Sequence, residues 1–313
     1  MLIEVHDLAR TFVVRRREGG ARRARTEVHA VRDLSFTIDA GEMVGYIGPN
    51  GAGKSTTIKM LTGILVPTHG HLRVAGLEPS RQRTELARRI GVVFGQRTTL
   101  WWDLPLRDSF ALLQKIYRVD TDRHRRNLAE YVELLDLGDL LDTPVRQLSL
   151  GQRMRGDITA ALLHDPEILY LDEPTIGLDV VSKGRLREFL RTLNAERGTT
   201  LLLTTHDLQD IEALCRRVIV IDRGTAVFDG PLVDLHHRGG ASRTLVVDLI
   251  DEAPPIEVEG AVTRKVEGPR QWLSFPADAS AAPIVAAVTA SYDVADLSIH
   301  EPDIEDVIRQ IYG

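Results

Sequence analysis

The chain has 313 residues, 43% of them hydrophobic and 27% charged, with a net charge of −6, the profile of an ordinary soluble globular protein. That length holds one large domain or two of ordinary size, and no apolar run approaches the ~18 residues needed to span a bilayer. A single cysteine, Cys215, excludes an internal disulfide and a cysteine-rich metal site and fits a reducing, cytosolic compartment. Charge is unevenly spread. From Ala241 onward, 13 acidic residues against 5 basic ones leave −8, so the first 240 residues carry +2. The asymmetry divides the chain into two units, residues 1–235 and 243–313, with HHRGGAS (236–242) as the joint. Neither unit has the basicity of a nucleic-acid binder.

In chain order, the opening MLIEVHDLARTF carries Glu4 and Asp7 and lacks the apolar segment of a signal peptide. Arginines at 15, 16, 17, 22, 23 and 25 then surround a Gly-Gly, opposed only by Glu18. The run reads as a solvated hairpin tip between two strands, with contact to acidic lipid head groups or a partner as the alternative.

A short apolar run, Met43–Ile47, leads into GPNGAGKST and a helical pattern. The spacing Gly48, Gly53, Lys54, Ser55 matches the phosphate-binding loop G-x-x-x-x-G-K-[ST]. In such a loop backbone N–H groups turn inward on phosphate oxygens, and the following helix adds its positive N-terminal end. Gly48, Pro49, Asn50, Gly51, Ala52, Gly53, Lys54, Ser55 and Thr56 are therefore the expected nucleotide-binding residues. Lys54 would reach the β- and γ-phosphates and Ser55 would hold Mg²⁺.

Further along, Ile168–Leu171 is a run of four apolar residues ending in Asp172 and Glu173. Such runs mark strands covered on both faces, as in parallel sheets, and two carboxylates at the end of one are costly without a task there. Leu201–Leu203 delivers His206 to a similar place. Ligands of open α/β sheets bind beyond the carboxyl ends of the strands, so the three strand ends are expected to meet at one phosphate site. Asp172 would hold Mg²⁺ through water, Glu173 would act as general base on the attacking water, and His206 would contact the γ-phosphate. The reaction expected of this set is ATP hydrolysis.

LSLGQ at 148–152, taken with the phosphate loop, Gln96, LDEP, GLD (177–179) and His206, closely resembles the nucleotide-binding subunits of ABC transporters over about the first 235 residues. The resemblance implies an α/β P-loop NTPase cassette with an antiparallel β subdomain and a helical subdomain near residues 98–160. It implies ATP and Mg²⁺ as cofactors and two subunits, by expectation a homodimer, closing head to tail on two ATP molecules. Ser149, Gly151 and Gln152 would then act on the nucleotide of the opposite subunit. Gln96 would contact Mg²⁺ or water and report to the transmembrane partner, Asp179 would link the two sites, and Phe12 would stack on adenine. Leu150 and Ile176 depart from the family's usual Gly and Ser, which touches the geometry of the dimer interface rather than a phosphate ligand.

The loop FGQRTTLWWDLP places Trp101 and Trp102 side by side, two of only three tryptophans in the chain. By the resemblance this stretch helps form the cleft for the coupling helix of transmembrane permease subunits. One ring is expected to anchor that contact and the other to lie in the core. The variants around the Trp pair, LSLGQRMR and DEPTIGLDV, with LTG at 61–63 and EPDIEDV at 301–307, resemble a viologen-exporter-like branch of the type-two exporter class. An ATPase of an exporter with separate membrane subunits, at the cytoplasmic face of the plasma membrane, is the expected role. A soluble ABC ATPase acting on ribosomes or DNA is the alternative. Its translation-type members usually pair two ATPase units in one chain, and its repair-type members carry long coiled coils; the charge also speaks against nucleic acid.

After the joint, TLVVDLI, AVTRKV, QWLSF and DVADLSI read as strands, and SAAPIVAAVTASY and DIEDVIRQIY as helices. This small α+β unit is expected either to regulate or stabilise the dimer or merely to cap the main domain.

Overall fold

The computed structural model describes residues 1–17, 23–95, 97–205, 207–237, 242–276 and 279–300. The chain divides into two compact units, Met1–Asp229 and Gly230–Gly313.

The first unit begins with β1 (Ile3–Arg17) and β2 (Arg23–Ile38), antiparallel over a register that runs from Ile3 opposite Ile38 to Arg17 opposite Arg23. The hairpin tip expected between them, with the Gly-Gly, lies outside the described residues. β3 (Met43–Ile47) is followed by α1 (Lys54–Leu61), and β4 (His69–Val74) pairs with β1 to complete a three-stranded antiparallel sheet. A short helix, α2 (Arg83–Leu86), precedes β5 (Ile90–Phe94). Three helices then intervene before the chain returns to the sheet: α3 (Leu106–Tyr117), α4 (Thr121–Leu134) and α5 (Leu150–Leu162). They fall in the stretch where a helical subdomain is expected. β6 (Ile168–Asp172), α6 (Val180–Arg197), β7 (Thr200–Thr204), α7 (Leu208–Leu214) and β8 (Arg217–Asp222) follow. β9 (Thr225–Pro231) joins β8 through a two-residue turn at Arg223 and Gly224, both at positive φ (46° and 87°), the backbone that hairpins favour.

These strands form a six-stranded sheet in the order β5-β6-β7-β3-β8-β9, with β5, β6, β7, β3 and β8 parallel. The apolar runs explain it. Ile168 to Leu171 and Leu201 to Leu203 are all buried, which requires cover on both faces of the sheet. Ile58, Met60 and Leu61 of α1 share one hydrophobic core with Ile3, Val5, Leu34 and Ile38 of the antiparallel sheet and Val44, Tyr46 and Tyr170 of the parallel strands. Parallel registers then align the strand ends: Phe94 lies opposite Asp172, and Asp172 opposite Thr204. β3 runs beside β7. The residues following β3, β5 and β6 therefore emerge along one edge.

The second unit starts within β9 and continues through α8 (Leu232–His237), β10 (Ser242–Leu249), β11 (Val262–Glu267), β12 (Arg270–Pro276), α9 (Ala281–Ser291) and β13 (Val294–His300). Its antiparallel sheet has the order β11-β12-β10-β13. Leu245, Val247, Leu273 and Phe275 alternate inward and meet Ile284 and Val288 of α9. Gln271 is fully buried, and its amide is satisfied by the Ile256 N–H at 2.8 Å and by the carbonyls of Ala253 and Pro254 at 3.1 and 3.0 Å. The helix expected at 303–312 lies outside the described residues. Among the described residues no helix is long and apolar enough to cross a membrane.

Candidate nucleotide site

The site grows from the loop between β3 and α1. Gly53 is the N-cap of α1 at φ 109°, and a Cβ there would stand 2.5 Å from the Ala30 carbonyl oxygen. Only glycine fits that turn and that approach. No acidic residue occupies the first turn of α1, so its exposed N–H groups and dipole are left to attract an anion. Lys54 is nearly buried at 8% exposure. Its ammonium donates to the Gly48 carbonyl and, at 3.1 Å, to that of Pro49. Burial lowers the Lys54 pKa, and Glu173 and Asp172 push it back up.

The carboxylates arrive on the neighbouring strand end. The Ser55 hydroxyl lies 3.4 Å from Asp172 Oδ2, while Thr204 donates to Oδ1 at 2.5 Å. Asp172 is thus oriented by β7 and faces the first turn of α1. The next residue, Glu173, has φ 56°, a left-handed conformation uncommon in a non-glycine residue and frequent at functional sites. The Glu173 N–H donates to the Thr204 carbonyl at 2.9 Å, which fixes this turn against the sheet.

Together these elements line a cavity of about 560 Å³, within the usual range for ligand sites. Pro49, Asn50, Gly51, Gly53, Lys54, Ser55 and Thr56 form one wall, and Asp172 and Glu173 another. Ala52 is buried at 2% exposure. Six lining residues were not foreseen from sequence: Ala30, Lys59, Ile64, Phe94, Gly95 and Arg97, two of them, Lys59 and Arg97, cationic. The two cations add positive charge to a phosphate-sized cradle. A triphosphate fits this wall of glycine backbone, lysine and helix N-terminus. The Ser55 hydroxyl and Asp172 carboxylate are hard oxygen donors of the kind Mg²⁺ takes while keeping most of its waters.

Other expected residues stand elsewhere. Gln96 and His206 lie outside the described residues, though their neighbours are placed: Gly95 and Arg97 line the cavity. The Thr205 hydroxyl accepts the Asp207 N–H at 3.0 Å. Phe12 is not among the lining residues; it pairs with Val28 across the β1–β2 ladder, with the Arg10 guanidinium 4.7 Å from its ring centre.

Ser149, Gly151, Gln152 and Asp179 do not line the cavity of their own chain. Ser149 caps α5 in a reciprocal box: Gln152 N–H donates to its hydroxyl at 3.2 Å, and its own N–H donates to Gln152 Oε1 at 2.9 Å. The helix starts at Leu150, directly after this cap. Asp179 caps α6, accepting the Ser182 N–H at 2.9 Å and hydroxyl at 2.6 Å. Those bonds, the hydroxyl's first, hold its carboxyl below the usual range. The two loops interlock. A Cβ on Gly177 would come within 2.3 Å of Leu150 Cδ2, and one on Gly151 within 2.8 Å of Leu178 Cδ2. The unusual Leu150 is therefore seated on Gly177.

A buried carboxylate that carries no sequence motif ties the site's loops together. Asp210, fully buried, accepts from Thr175 Oγ1 at 2.5 Å, Arg187 Nε at 2.7 Å and Thr205 Oγ1 at 3.4 Å. It connects the segment after Glu173 with the segment before His206.

The Trp pair requires a correction. One ring is expected in the core, but Trp101 is 37% and Trp102 50% exposed. The chain turns here, with Leu104 N–H donating to the Trp101 carbonyl at 3.1 Å, and the inward position is taken by Leu100 at 5% exposure. Arg153 of α5 stacks 5.4 Å from the Trp102 ring centre.

With this geometry in view, comparisons with known proteins are consistent with one another. A family model described as "ABC transporter" matches residues 31–176. The daunorubicin resistance ATP-binding protein DrrA3 of Streptomyces coeruleorubidus is 31% identical, over 94% of this chain and 94% of its own length. The Nod factor export ATP-binding protein I of Rhizobium leguminosarum bv. viciae is 32% identical over 90% of each chain. Among solved structures, the dimeric post-hydrolysis state of the ATP-binding cassette MJ0796, bound to ADP and Pi, aligns with a TM-score of 0.64 and 26% identity, covering 74% of this chain and 98% of that one.

Proposed function

The chain belongs to the ATP-binding proteins of ABC transporters, and we propose that it hydrolyses Mg–ATP to drive export through separate transmembrane subunits. The observation that carries this is the meeting of Lys54, Ser55, Asp172 and Glu173 around one cavity at the ends of β3 and β6. Lys54 and the N-terminus of α1 bind the phosphates and offset their charge. Ser55 and Asp172 would hold Mg²⁺, with Gln96 beside it by family resemblance. Bound there, the ion would neutralise charge developing on phosphate oxygens. Glu173 takes the proton of the attacking water, and the left-handed turn at its Cα sets it apart from Asp172 so that the two carboxylates serve different tasks. His206 contacts the γ-phosphate in this reading.

Two copies close head to tail, so that Ser149, Gly151 and Gln152 of each complete the site of the other. Their absence from the cavity of their own chain supports this arrangement, as does the dimeric state of the MJ0796 structure. Asp179 and Phe12 keep their proposed roles, between the sites and against the adenine. Names of relatives in drug resistance and Nod factor export support an exporter at the cytoplasmic face of the plasma membrane, and the Trp-pair loop and signature variants support the viologen-exporter-like branch. The exposed Trp101 and Trp102 serve as anchors for the membrane subunit. Release of phosphate from Mg–ATP by the purified chain tests the reading; a chain that neither binds nor turns over Mg–ATP would sink it.

A further inference from the structure

Asp157 lies on α5, about two turns beyond Ser149, and is 5% exposed. A buried carboxylate is costly unless its oxygens are satisfied. Here a single oxygen, Oδ1, accepts from Thr98 Oγ1 at 2.9 Å, the Thr99 N–H at 2.9 Å and Thr99 Oγ1 at 3.2 Å. Burial pushes the Asp157 carboxyl up, opposed by the Thr99 and Thr98 bonds and by Arg153. All three donors belong to the loop that runs from Arg97 in the nucleotide cavity to the exposed Trp101 and Trp102.

The same helix holds that loop at two more points. Arg153, one turn before Asp157, stacks on Trp102. A Cβ on Gly156 would stand 3.1 Å from Leu100 Cδ1, so the helix is bare where Leu100 presses on it. Hydrogen bonds, a cation–π contact and close packing thus bind residues 98–102 to α5. The tryptophans are carried by the helix whose N-cap is Ser149. Arg97, one residue before the fastened stretch, stays in the cavity of the parallel sheet.

We propose that Asp157 is a positioning residue that fastens the Trp101–Trp102 docking surface to the signature helix, so that a displacement of α5 on closure over nucleotide is delivered to the membrane subunit at these two rings. The inference rests on the proposed function, because it takes α5 to move when Ser149 meets the opposite subunit's ATP. Replacing a buried charged group by an apolar residue of similar volume is often neutral for stability, so Asp157→Leu separates positioning from folding.

The test uses the full chain carrying Trp272→Phe, which leaves Trp101 and Trp102 as the only indoles. Mg–ATP should change their emission and their quenching by acrylamide. Asp157→Leu should abolish that change while ATP affinity and the melting temperature stay near those of the parent. Asp157→Asn keeps the Oδ1 acceptor and should retain the change. Should Asp157→Leu fail to fold, Thr98→Val with Thr99→Val removes two of the three donors and should diminish the change. A full emission response in a folded Asp157→Leu or Thr98→Val/Thr99→Val chain overturns the proposal. So does a parent chain that binds Mg–ATP with no response at either ring. A parent that does not bind Mg–ATP at all overturns the proposed function, and the fastening role falls with it.

Discussion

The two compact units treat buried polar groups differently. In residues 1–229 one group of polar side chains gathers where parallel strands end: Lys54 and Thr204 are buried there, Asp172 is held between Ser55 and Thr204, and Glu173 adopts a left-handed backbone. Among the described residues of 230–313 the buried polar side chain is Gln271, in the middle of β12, and the bonds of its amide go to one loop of its own unit. Positive φ among the described residues of that unit occurs only at Gly260 and Gly268, as turns require. Polar burial at strand ends, joined by backbone strain at a carboxylate, marks chemistry; polar burial within a strand, fully paired, marks architecture.

The largest effect expected from this contrast is loss of nucleotide binding in Lys54→Ala set against its retention in a chain truncated after Arg238. Removing Lys54 deletes the buried charge that lines the cavity, and affinity for Mg–ATP should fall at least ~100-fold, the scale of a buried charged contact. The truncation leaves β3, β6 and β7 and their loops intact, and calorimetric titration should give an affinity close to that of the full chain. A soluble truncation blind to nucleotide would break the comparison, because the second unit would then belong to the site. A smaller effect separates docking from chemistry. Trp101→Ala or Trp102→Ala should melt within a few degrees of the parent and bind ATP normally, since both rings are exposed. Each should weaken copurification with the membrane subunits by roughly 1–2 kcal/mol, the lower range for interface aromatics. Early melting with normal assembly would return the rings to a structural role.

The smallest effect concerns acid. His164 is 7% exposed and stacked on Tyr117 with ring centres 4.1 Å apart. Burial lowers its pKa against the pull of the Ile90 carbonyl and Asp165, and burial also lowers that of His124. The unfolded chain therefore binds these protons more readily. Stability is present above the ordinary histidine value of 6.5 and is lost as pH falls through it. Melting should drop on acidification, by up to about 1.4 kcal/mol per pH unit for each histidine, and His164→Phe, which keeps the stack, should flatten part of that slope.

Much of the site was legible because its chemistry is tied to strand ends and fixed spacings. Ile168–Leu171 and Leu201–Leu203 could be read as strands buried on both faces, and Gly53-Lys54-Ser55 as a phosphate loop, without any contact being known. Strands of the second unit were legible by alternation, since Leu245, Val247, Leu273 and Phe275 face one way. What escaped depends on three-dimensional closure. Asp157 and Asp210 are single acids on helices, with no spacing to distinguish them from solvated residues; only burial and their hydroxyl partners reveal them. Lys59 and Arg97 reach the cavity because α1 and β5 flank it. The outward Trp pair could not be inferred from alternation, because the turn at 101–104 hands the inward position to Leu100.

The central claim is that Glu173 is the base in a hydrolytic site completed by a second subunit. It is tested most directly by purified Glu173→Gln in saturating Mg–ATP, with phosphate release and sedimentation followed on one sample. The amide cannot accept the water's proton, so turnover should fall by ~10²–10⁴-fold while ATP stays bound and the chain sediments as a dimer holding two nucleotides. Undiminished turnover, or a nucleotide-loaded monomer, would contradict the account.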